Sequence, residues 1–525
     1  MDTGEYKIPA ATIVTRPNPF TIKSILKCIY IALELMCVAF LLELIIAGAI
    51  LRIPIKLLSL WAILLLVSTV VPRHFRKYFY LTFLAVLTCI TVWTFNSDGD
   101  HTWQPSTFDA EMAAFHPDVD SAAPNAADIY QSLLDEYDGS VFHPNLYDFE
   151  DYGLTFTSLF PTESYPILAE MVRGQNDLIS KLLQASQIDL CLFPLPVSTN
   201  AIDVQHRRIA IMKCWARQLL NSANNDLGDG FVEPAMQKQF AALKMADHLY
   251  QQRTVFDNSG AIYIELMAYE NINSFIMNHC KDALQLDLIT ARIKLNDEYF
   301  PENWNYIYDS LKLVAKNMVG LVYETHPDGR TRRSQNIAPT LNTYFSAKMR
   351  ISPYQMSIVK AGAVGHWFIL PGTPYAAAGV IDRAFEEYSP AADLDNLEKA
   401  KPKFKMNYNY VCRQVAYYCS QFYYPIRTQS RRRENAGRST RILLELKKYN
   451  LTYGTWPDDL DCLEGLDKAA LVDTVNDLSF VYKPKEDSFI LYSIGRNKED
   501  DGSYSSPKYG FDDIRYWPEE KPEPE

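Results

Sequence analysis

The sequence predicts a mainly α-helical protein. It comprises N-terminal transmembrane helices, a large multi-helical soluble domain and a small C-terminal α+β module with an antiparallel sheet. Three observations lead to this prediction. Long apolar segments lie within the first hundred residues, and apolar residues recur at helical spacing between residues 164 and 388. Short β-rich segments bounded by turn residues follow residue 430. Because helices and strands differ in their apolar periodicity, these patterns separate three parts of the chain.

Three apolar segments near the N-terminus predict membrane spans. They cover residues 28–51, 57–71 and 78–95, and a helix needs about 20 apolar residues to cross a bilayer. The second segment is short, which leaves the number of spans open. One span or three spans would place the rest of the chain on the same side of the membrane, whereas two spans would reverse it.

Basic residues orient these segments. Residues 1–77 contain nine Lys and Arg and four Asp and Glu, a charge of +5, whereas the rest of the chain contains 42 and 59, a charge of −17. An excess of Lys and Arg marks the cytoplasmic side of a membrane protein. We therefore expect a cytoplasmic N-terminus (1–24) and a three-helix membrane domain in contact with lipid (25–95). The main domain would lie outside the cytoplasm, on the periplasmic face of a bacterial inner membrane.

The acidic charge of the main domain restricts its partners. Affinity for nucleic acid comes largely from basic side chains that neutralise phosphates. A region with a charge of −17 therefore predicts no nucleic-acid partner. It favours a cation or a protein partner.

The rest of the chain divides by local signals. Residues 96–124 read as a polar linker, and residues 125–429 as a helical extracytoplasmic domain in which Asn125, Pro166 and Pro374 each begin a helix. A tyrosine-rich helix is expected to be interrupted near Pro425. The α+β module covers residues 430–518, with strands expected at 478–482, 489–493 and 514–517, and residues 519–525 form a disordered acidic tail.

The last part of the chain carries several short motifs in a defined order. They are RILLELKKYN at 441–450, Gly454 with Trp456-Pro457, FILYSIG at 489–495, DDG at 500–502 and DDI at 512–514. In this order they resemble the globular domain of the major pseudopilin of type II secretion systems, over about 85 residues. The rest of the chain resembles uncharacterised multi-helical bacterial membrane proteins.

The resemblance implies a calcium site in the acidic loop of the module. Calcium takes 6–8 oxygen ligands from carboxylates, carbonyls and water. By position, the implied ligands are a main-chain carbonyl near Ser493 and the side chains of Asn497, Asp500, Asp501, Asp512 and Asp513. A solvated acidic turn between two strands is the alternative interpretation of the same residues.

The sequence contains no HExxH, GxSxG, Walker A or Rossmann pattern, so it favours a protein that is not an enzyme. Glu265 and Glu270 are interpreted as solvated charges on a helix. The loop at 325–333, with its three arginines, is interpreted as solvated, with anion binding as the alternative.

These observations predict a membrane-anchored extracytoplasmic binding or assembly protein with a calcium-binding C-terminal module. A membrane-anchored hydrolase remains an alternative, because catalytic residues can come together from distant positions. An accessory component of a secretion or pilus-like system is the third hypothesis.

Overall fold

The computed structural model of the protein describes residues 123–137, 154–193, 201–297, 305–320, 323–325, 331–333, 374–387, 410–506 and 511–518. All of them except Tyr410 belong to one compact unit. Within these ranges no helix combines the length and the apolar character needed to cross a bilayer. The predicted spans between residues 28 and 95 lie outside the described ranges, as do residues 1–24, residues 96–122 of the linker and the acidic tail.

The described chain is mainly helical, as the sequence predicts. The helices are α1 (Ala126–Glu136), α2 (Pro166–Arg173), α3 (Asn176–Ala185), α4 (Ala201–Gly228), α5 (Val232–Tyr250), α6 (Val255–Asn278), α7 (Ala283–Asp297), α8 (Asn305–Gly320), α9 (Pro374–Glu387) and α10 (Tyr410–Tyr453). The strands are β1 (Tyr323–Thr325), β2 (Thr331–Arg333), β3 (Val481–Pro484), β4 (Phe489–Ser493), β5 (Ser505–Ser506), β6 (Phe511–Asp512) and β7 (Ile514–Trp517).

Three local signals for helix starts are confirmed. Asn125 is the N-cap of α1, and its Oδ1 accepts a hydrogen bond from the backbone N–H of Ala127 at 3.1 Å. Pro166 and Pro374 are the first residues of α2 and α9. Proline suits this position because the first N–H groups of a helix have no partner within it, and its fixed φ is already helical.

Helices α4, α5 and α6 form the centre of the helical part and contact one another extensively. Large side chains of these helices are buried almost completely, and Trp215, Tyr269 and Phe275 are each at most 1% exposed. Thr254 begins α6 as its N-cap, because its hydroxyl accepts a hydrogen bond from the N–H of Asp257. The guanidinium of Arg208 on α4 lies 2.6 Å from the carboxylate of Asp257, and both side chains are buried. The cap and the ion pair together fix the start of α6 against α4.

The predicted interruption at Pro425 is wrong. A single helix, α10, runs through this proline, which lies within its length. Proline removes one helical hydrogen bond. However, Pro425 itself is exposed while Tyr423 and Ile426 beside it are buried, and burial of that apolar face offsets the loss. The helix therefore crosses residue 430, the predicted boundary between the helical domain and the module, without a break.

A small antiparallel sheet follows α10. Its three strands lie in the order β3–β4–β7, with Val481 opposite Tyr492 and Ser493 opposite Ile514. The central strand β4 buries Phe489, and the ring of Trp456 packs edge-on against it at 4.8 Å between centroids. Strands β4 and β7 have the predicted bounds, whereas β3 begins three residues later than predicted. Strands β5 and β6 pair within the loop that joins β4 to β7.

The predicted loop at 325–333 has strands at its two ends. β1 and β2 pair antiparallel, with Thr325 opposite Thr331. Residues 326–330 lie outside the described ranges, so the anion-binding alternative for this loop stays a prediction.

The interpretation of Glu265 as a solvated charge is wrong, because its side chain is 0% exposed. Nε of Arg433 on α10 donates to its Oε2 at 2.7 Å, Nη2 of the same arginine lies 2.7 Å from Oε1, and the hydroxyl of Tyr250 also donates to Oε2. Burial opposes the charge on Arg433, but the neighbouring carboxylate of Glu265 outweighs it, and the pKa of the guanidinium lies above its usual range.

Farther along α10, the ammonium of Lys447 donates to the carbonyl of Met277 on α6. Helix α10 therefore runs beside α6 in the same direction.

His248 on α5 joins two other parts of the chain to the centre. It is 0% exposed. Its Nε2–H donates to the carbonyl of Ile188 at 2.8 Å, and its Nδ1 accepts from the hydroxyl of Tyr130 on α1 at 3.0 Å. Burial lowers the pKa of this imidazole to about 4, so the neutral ring is the form that fits here.

Removing Arg433 tests the importance of its ion pair. Arg433→Met leaves Glu265 buried without a counter-charge, and we expect the free energy of unfolding to fall by about 3–5 kcal/mol. The double variant Arg433→Met/Glu265→Met has no buried charge and is expected to lose less than either single variant. Urea unfolding of wild type, Arg433→Met, Glu265→Met and the double variant gives the coupling free energy of the pair in a double-mutant cycle.

As a control, Lys312→Met removes a half-exposed pair with Asp309 on α8 and should cost about 1 kcal/mol or less. A double variant as unstable as the sum of its singles would contradict a coupled pair.

The lowered pKa of the buried His248 predicts that the protein loses stability in acid. Between pH 6.5, its ordinary pKa, and pH 4 the unfolded chain binds a proton that the folded chain does not. The free energy of unfolding therefore falls as the pH is lowered through this window, by up to about 3 kcal/mol, and is unaffected above it. His248→Gln should remove this part of the pH dependence. The measurement is urea unfolding of both proteins from pH 4 to 7, with the exposed His279→Gln as control. A difference between wild type and His248→Gln that is constant with pH would show the prediction to be wrong.

Candidate metal centre

The acidic loop of the module is held by a turn that requires glycine. Gly495 follows β4 with φ at +67°, a backbone conformation that other residues rarely adopt. A Cβ at this position would lie 2.2 Å from Oδ1 and 2.4 Å from the carbonyl oxygen of Asp512. The N–H of Gly495 also donates to the hydroxyl of Ser493 at 3.1 Å. The Ser-x-Gly turn thus brings the loop into direct contact with the residue that ends β6.

Three of the predicted ligands come together beside this turn. One carboxylate oxygen from each of Asp501, Asp512 and Asp513 lies within 4.8 Å of the others. Calcium–oxygen distances are about 2.3–2.6 Å, so two oxygens on opposite sides of one ion are about twice that distance apart. The 4.8 Å limit of the three aspartate oxygens matches this separation. Asp501 comes from the loop after β4, Asp512 from β6 and Asp513 from the residue between β6 and β7. We call these three residues the aspartate cluster.

Asp513 is the buried member of the aspartate cluster, at 0% exposure. Its Oδ2 accepts a hydrogen bond from the N–H of Ser503 at 2.8 Å, whereas its Oδ1 has no hydrogen-bond partner among the described residues. Burial raises the pKa of this carboxyl and the charges of Asp501 and Asp500 add to the rise, whereas the backbone N–H groups of Ser503 and Asp501 act against it. A buried carboxylate oxygen without a partner is costly, and a cation bound to the cluster would satisfy it.

Asp512, which is half-buried, also has a carboxylate oxygen without a hydrogen-bond partner among the described residues. Its Oδ2 accepts from the backbone N–H of Arg496 at 2.8 Å. Its Oδ1 faces Gly495 and has no hydrogen-bond partner within the described part of the chain. Two oxygens of the cluster are therefore left available.

The structure does not bring Asp500 into the aspartate cluster. Oδ1 of Asp500 accepts from the hydroxyl of Tyr492 at 2.7 Å and from the N–H of Gly502, and Oδ2 accepts from the ammonium of Lys483 at 3.1 Å. The hydrogen bond from Tyr492 is the main cause that holds the pKa of Asp500 below its usual range. Both of its oxygens are thus occupied by the sheet, and Lys483 and Tyr492 position it away from the cluster.

Asn497 also differs from its predicted role. Its Nδ2 donates to Oδ2 of Asp501 at 3.1 Å, and its Oδ1 accepts from the N–H of Glu499. The oxygen that would bind a cation is therefore used inside the loop. The sequence also predicted a main-chain carbonyl ligand near Ser493. In the sheet, Ser493 lies opposite Ile514, the residue directly after Asp513.

A buried network behind the loop was missed from the sequence. Asn476 donates to the carbonyl of Gly495 at 3.0 Å and to Oδ2 of Asp473 at 2.7 Å, and Asp473 accepts in turn from Asn435 on α10. The side chains of Asn435, Asp473 and Asn476 are at most 1% exposed. One signal was available, because asparagine in the interior of a helix is unfavourable unless its side chain has a partner.

Comparisons of the chain with protein-family models, with curated proteins and with solved structures find no match. The resemblance of the module to pseudopilins therefore rests on the motifs in its own sequence, and what the aspartate cluster does rests on its geometry.

Proposed function

We propose that this protein is a membrane-anchored extracytoplasmic binding or assembly protein whose C-terminal module binds calcium. The observation that carries the metal part is the buried Asp513, with an oxygen that has no hydrogen-bond partner among the described residues and two further carboxylates close by. Flexible carboxylate and carbonyl oxygens are the ligands that calcium prefers. The resemblance to a family with a calcium-binding loop at this position supports the choice of ion.

The membrane part of the proposal comes from the sequence. Residues 28–95 contain the apolar segments, and the charge changes from +5 up to residue 77 to −17 after it. Lipid would be the partner of this N-terminal part, with its first residues in the cytoplasm. An extracytoplasmic position also suits a module of modest calcium affinity, because extracellular calcium modules bind with Kd of about 10⁻⁴–10⁻³ M.

The arrangement of charges favours binding or assembly over hydrolysis. In the helical part, strongly perturbed groups are buried: Asp247 is 5% exposed and His248 0%. Burial and the charge of Glu265 raise the pKa of Asp247 to about 8. A catalytic acid or base must touch substrate, whereas these groups and the Arg433–Glu265 pair lie between packed helices. The hydrogen bonds of His248 and the Arg433–Glu265 pair support a role in holding the helices together. The acidic charge of the main domain favours a protein partner over nucleic acid.

Calcium binding is expected to depend on Asp513 and not on Asp500. Wild-type protein should gain about 2.7 kcal/mol of unfolding free energy at a free calcium concentration of 100 times Kd. Asp513→Asn should lose that gain. It should also be more stable than wild type in chelator, because it removes a buried charge close to two others. Thermal unfolding of the full chain in detergent, with calcium or with chelator, measures both effects.

Asp500→Asn is the matched control, one residue from the cluster, and should keep the calcium response. Equal calcium responses of wild type and Asp513→Asn would contradict the site. Loss of the response in Asp500→Asn alone would instead mean that Asp500 leaves Lys483 and Tyr492 to bind the ion.

The proposed topology is tested separately. Reporter fusions active only outside the cytoplasm, placed after residue 96 and after residue 525, are expected to be active. A fusion after residue 24 is expected to be inactive. Activity of the fusion at residue 24 combined with inactivity at residue 96 would reverse the proposed orientation.

A further inference from the structure

Two basic side chains on α4 meet one tyrosine on α6. Lys213 and Arg217 lie one helical turn apart, and both are half-buried. The ammonium of Lys213 lies 4.6 Å from the centre of the Tyr263 ring, and Nη2 of Arg217 donates to the Tyr263 hydroxyl at 3.0 Å. The tyrosine is 40% exposed. Two positive charges therefore gather around one aromatic side chain that solvent reaches.

These two cations differ from the other partly or fully buried lysines and arginines of α4 and α5. Those residues each have a carboxylate partner within 2.5–2.9 Å, in the pairs Arg208–Asp257, Lys238–Asp226 and Lys244–Asp189. Across the described ranges, neither Lys213 nor Arg217 forms an ion pair. Like charges four residues apart on a helix repel each other, and burial lowers the pKa of Lys213. Among the described residues, the positive charges of Lys213 and Arg217 are therefore uncompensated, whereas those of Arg208, Lys238 and Lys244 are each paired with a carboxylate.

A donor at this site is also unused. Nε of Arg217 is buried and has no hydrogen-bond acceptor among the described residues, although buried donors in proteins are nearly always paired. A ligand here can offer Nε a hydrogen-bond acceptor, and a negatively charged one would also compensate the two cations. The Tyr263 hydroxyl accepts from Nη2 and not from Nε.

We propose that Lys213, Arg217 and Tyr263 form a binding site for a phosphate group, carried either by a soluble small molecule or by a lipid headgroup. A guanidinium offers a fork of donors that matches phosphate oxygens, and an ammonium adds a compact charge. The exposed part of the Tyr263 ring gives the group that carries the phosphate a surface to pack against. This site is on the helical part of the chain and does not depend on the aspartate cluster or on calcium.

The test uses the full chain in a non-ionic detergent, with calorimetric titration of inorganic phosphate at constant ionic strength. Wild type is expected to bind phosphate saturably. Lys213→Gln and Arg217→Gln should each weaken binding by about 10- to 100-fold, since each removes a charged hydrogen-bond donor. Lys213→Arg keeps the charge and should retain binding. Lys181→Gln, at an exposed ion pair on α3, is the control and should bind as wild type does.

A second titration distinguishes the source of the phosphate. Dihexanoyl phosphatidic acid binding more tightly than inorganic phosphate, with dihexanoyl phosphatidylcholine inert, would assign the site to a lipid headgroup. Equal or tighter binding of inorganic phosphate would assign it to a soluble ligand.

Thermal unfolding separates binding from a purely structural role. Without phosphate, Lys213→Gln and Arg217→Gln should melt close to wild type, because relief of the repulsion between the two cations offsets the lost contact with Tyr263. At one phosphate concentration, the rise in melting temperature should be larger for wild type, Lys213→Arg and Lys181→Gln than for Lys213→Gln and Arg217→Gln. Absence of saturable binding to either phosphate ligand, or equal binding by wild type and the double variant Lys213→Gln/Arg217→Gln, would overturn the proposal.

Discussion

The buried ion pair between Arg433 and Glu265 fixes α10, the helix that leads into the C-terminal sheet, against the central helices of the helical part. It joins the long helix α10 to the central helix α6, and both side chains are almost completely excluded from water. Pairs of this kind contribute little net stability, because the desolvation of both charges offsets their attraction. We expect this pair to act on specificity, because any other alignment of α10 on α6 would leave two buried charges without partners. The hydroxyl of Tyr250 restricts the arrangement further by donating to the same carboxylate.

The position of α10 in turn determines the position of the acidic loop. Two residues after Arg433, Asn435 contacts Asp473, and Asn476 carries the connection on to the turn at Gly495. The aspartate cluster therefore rests on a buried polar network that begins on the same helix as the ion pair. Fully satisfied buried networks are rigid, so the cluster keeps its geometry through the helix as well as through the sheet.

Local signals in the sequence were sufficient where the physics is local. The N-cap at Asn125 and the proline at the start of α2 act on neighbouring backbone groups, and both were correctly predicted. Errors occurred where distant residues decide the outcome. Pro425 stays inside a helix because its neighbours are buried by packing, and Glu265 is buried because an arginine 168 residues away reaches it. Within the loop, Asp500 was grouped with the other carboxylates, yet a lysine and a tyrosine on the sheet hold it apart.

The side-by-side run of α10 and α6 also limits how the length of this chain can change in evolution. The two contacts lie at Arg433 and Lys447 on one helix, and at Glu265 and Met277 on the other. Each residue added to a helix turns everything beyond it by about 100° and shifts it by about 1.5 Å. A single insertion between the two contacts, in either helix, would turn one contact away from its partner while the other stayed in place. Surface loops tolerate insertions, whereas an insertion in either of these two stretches would break one of the two contacts.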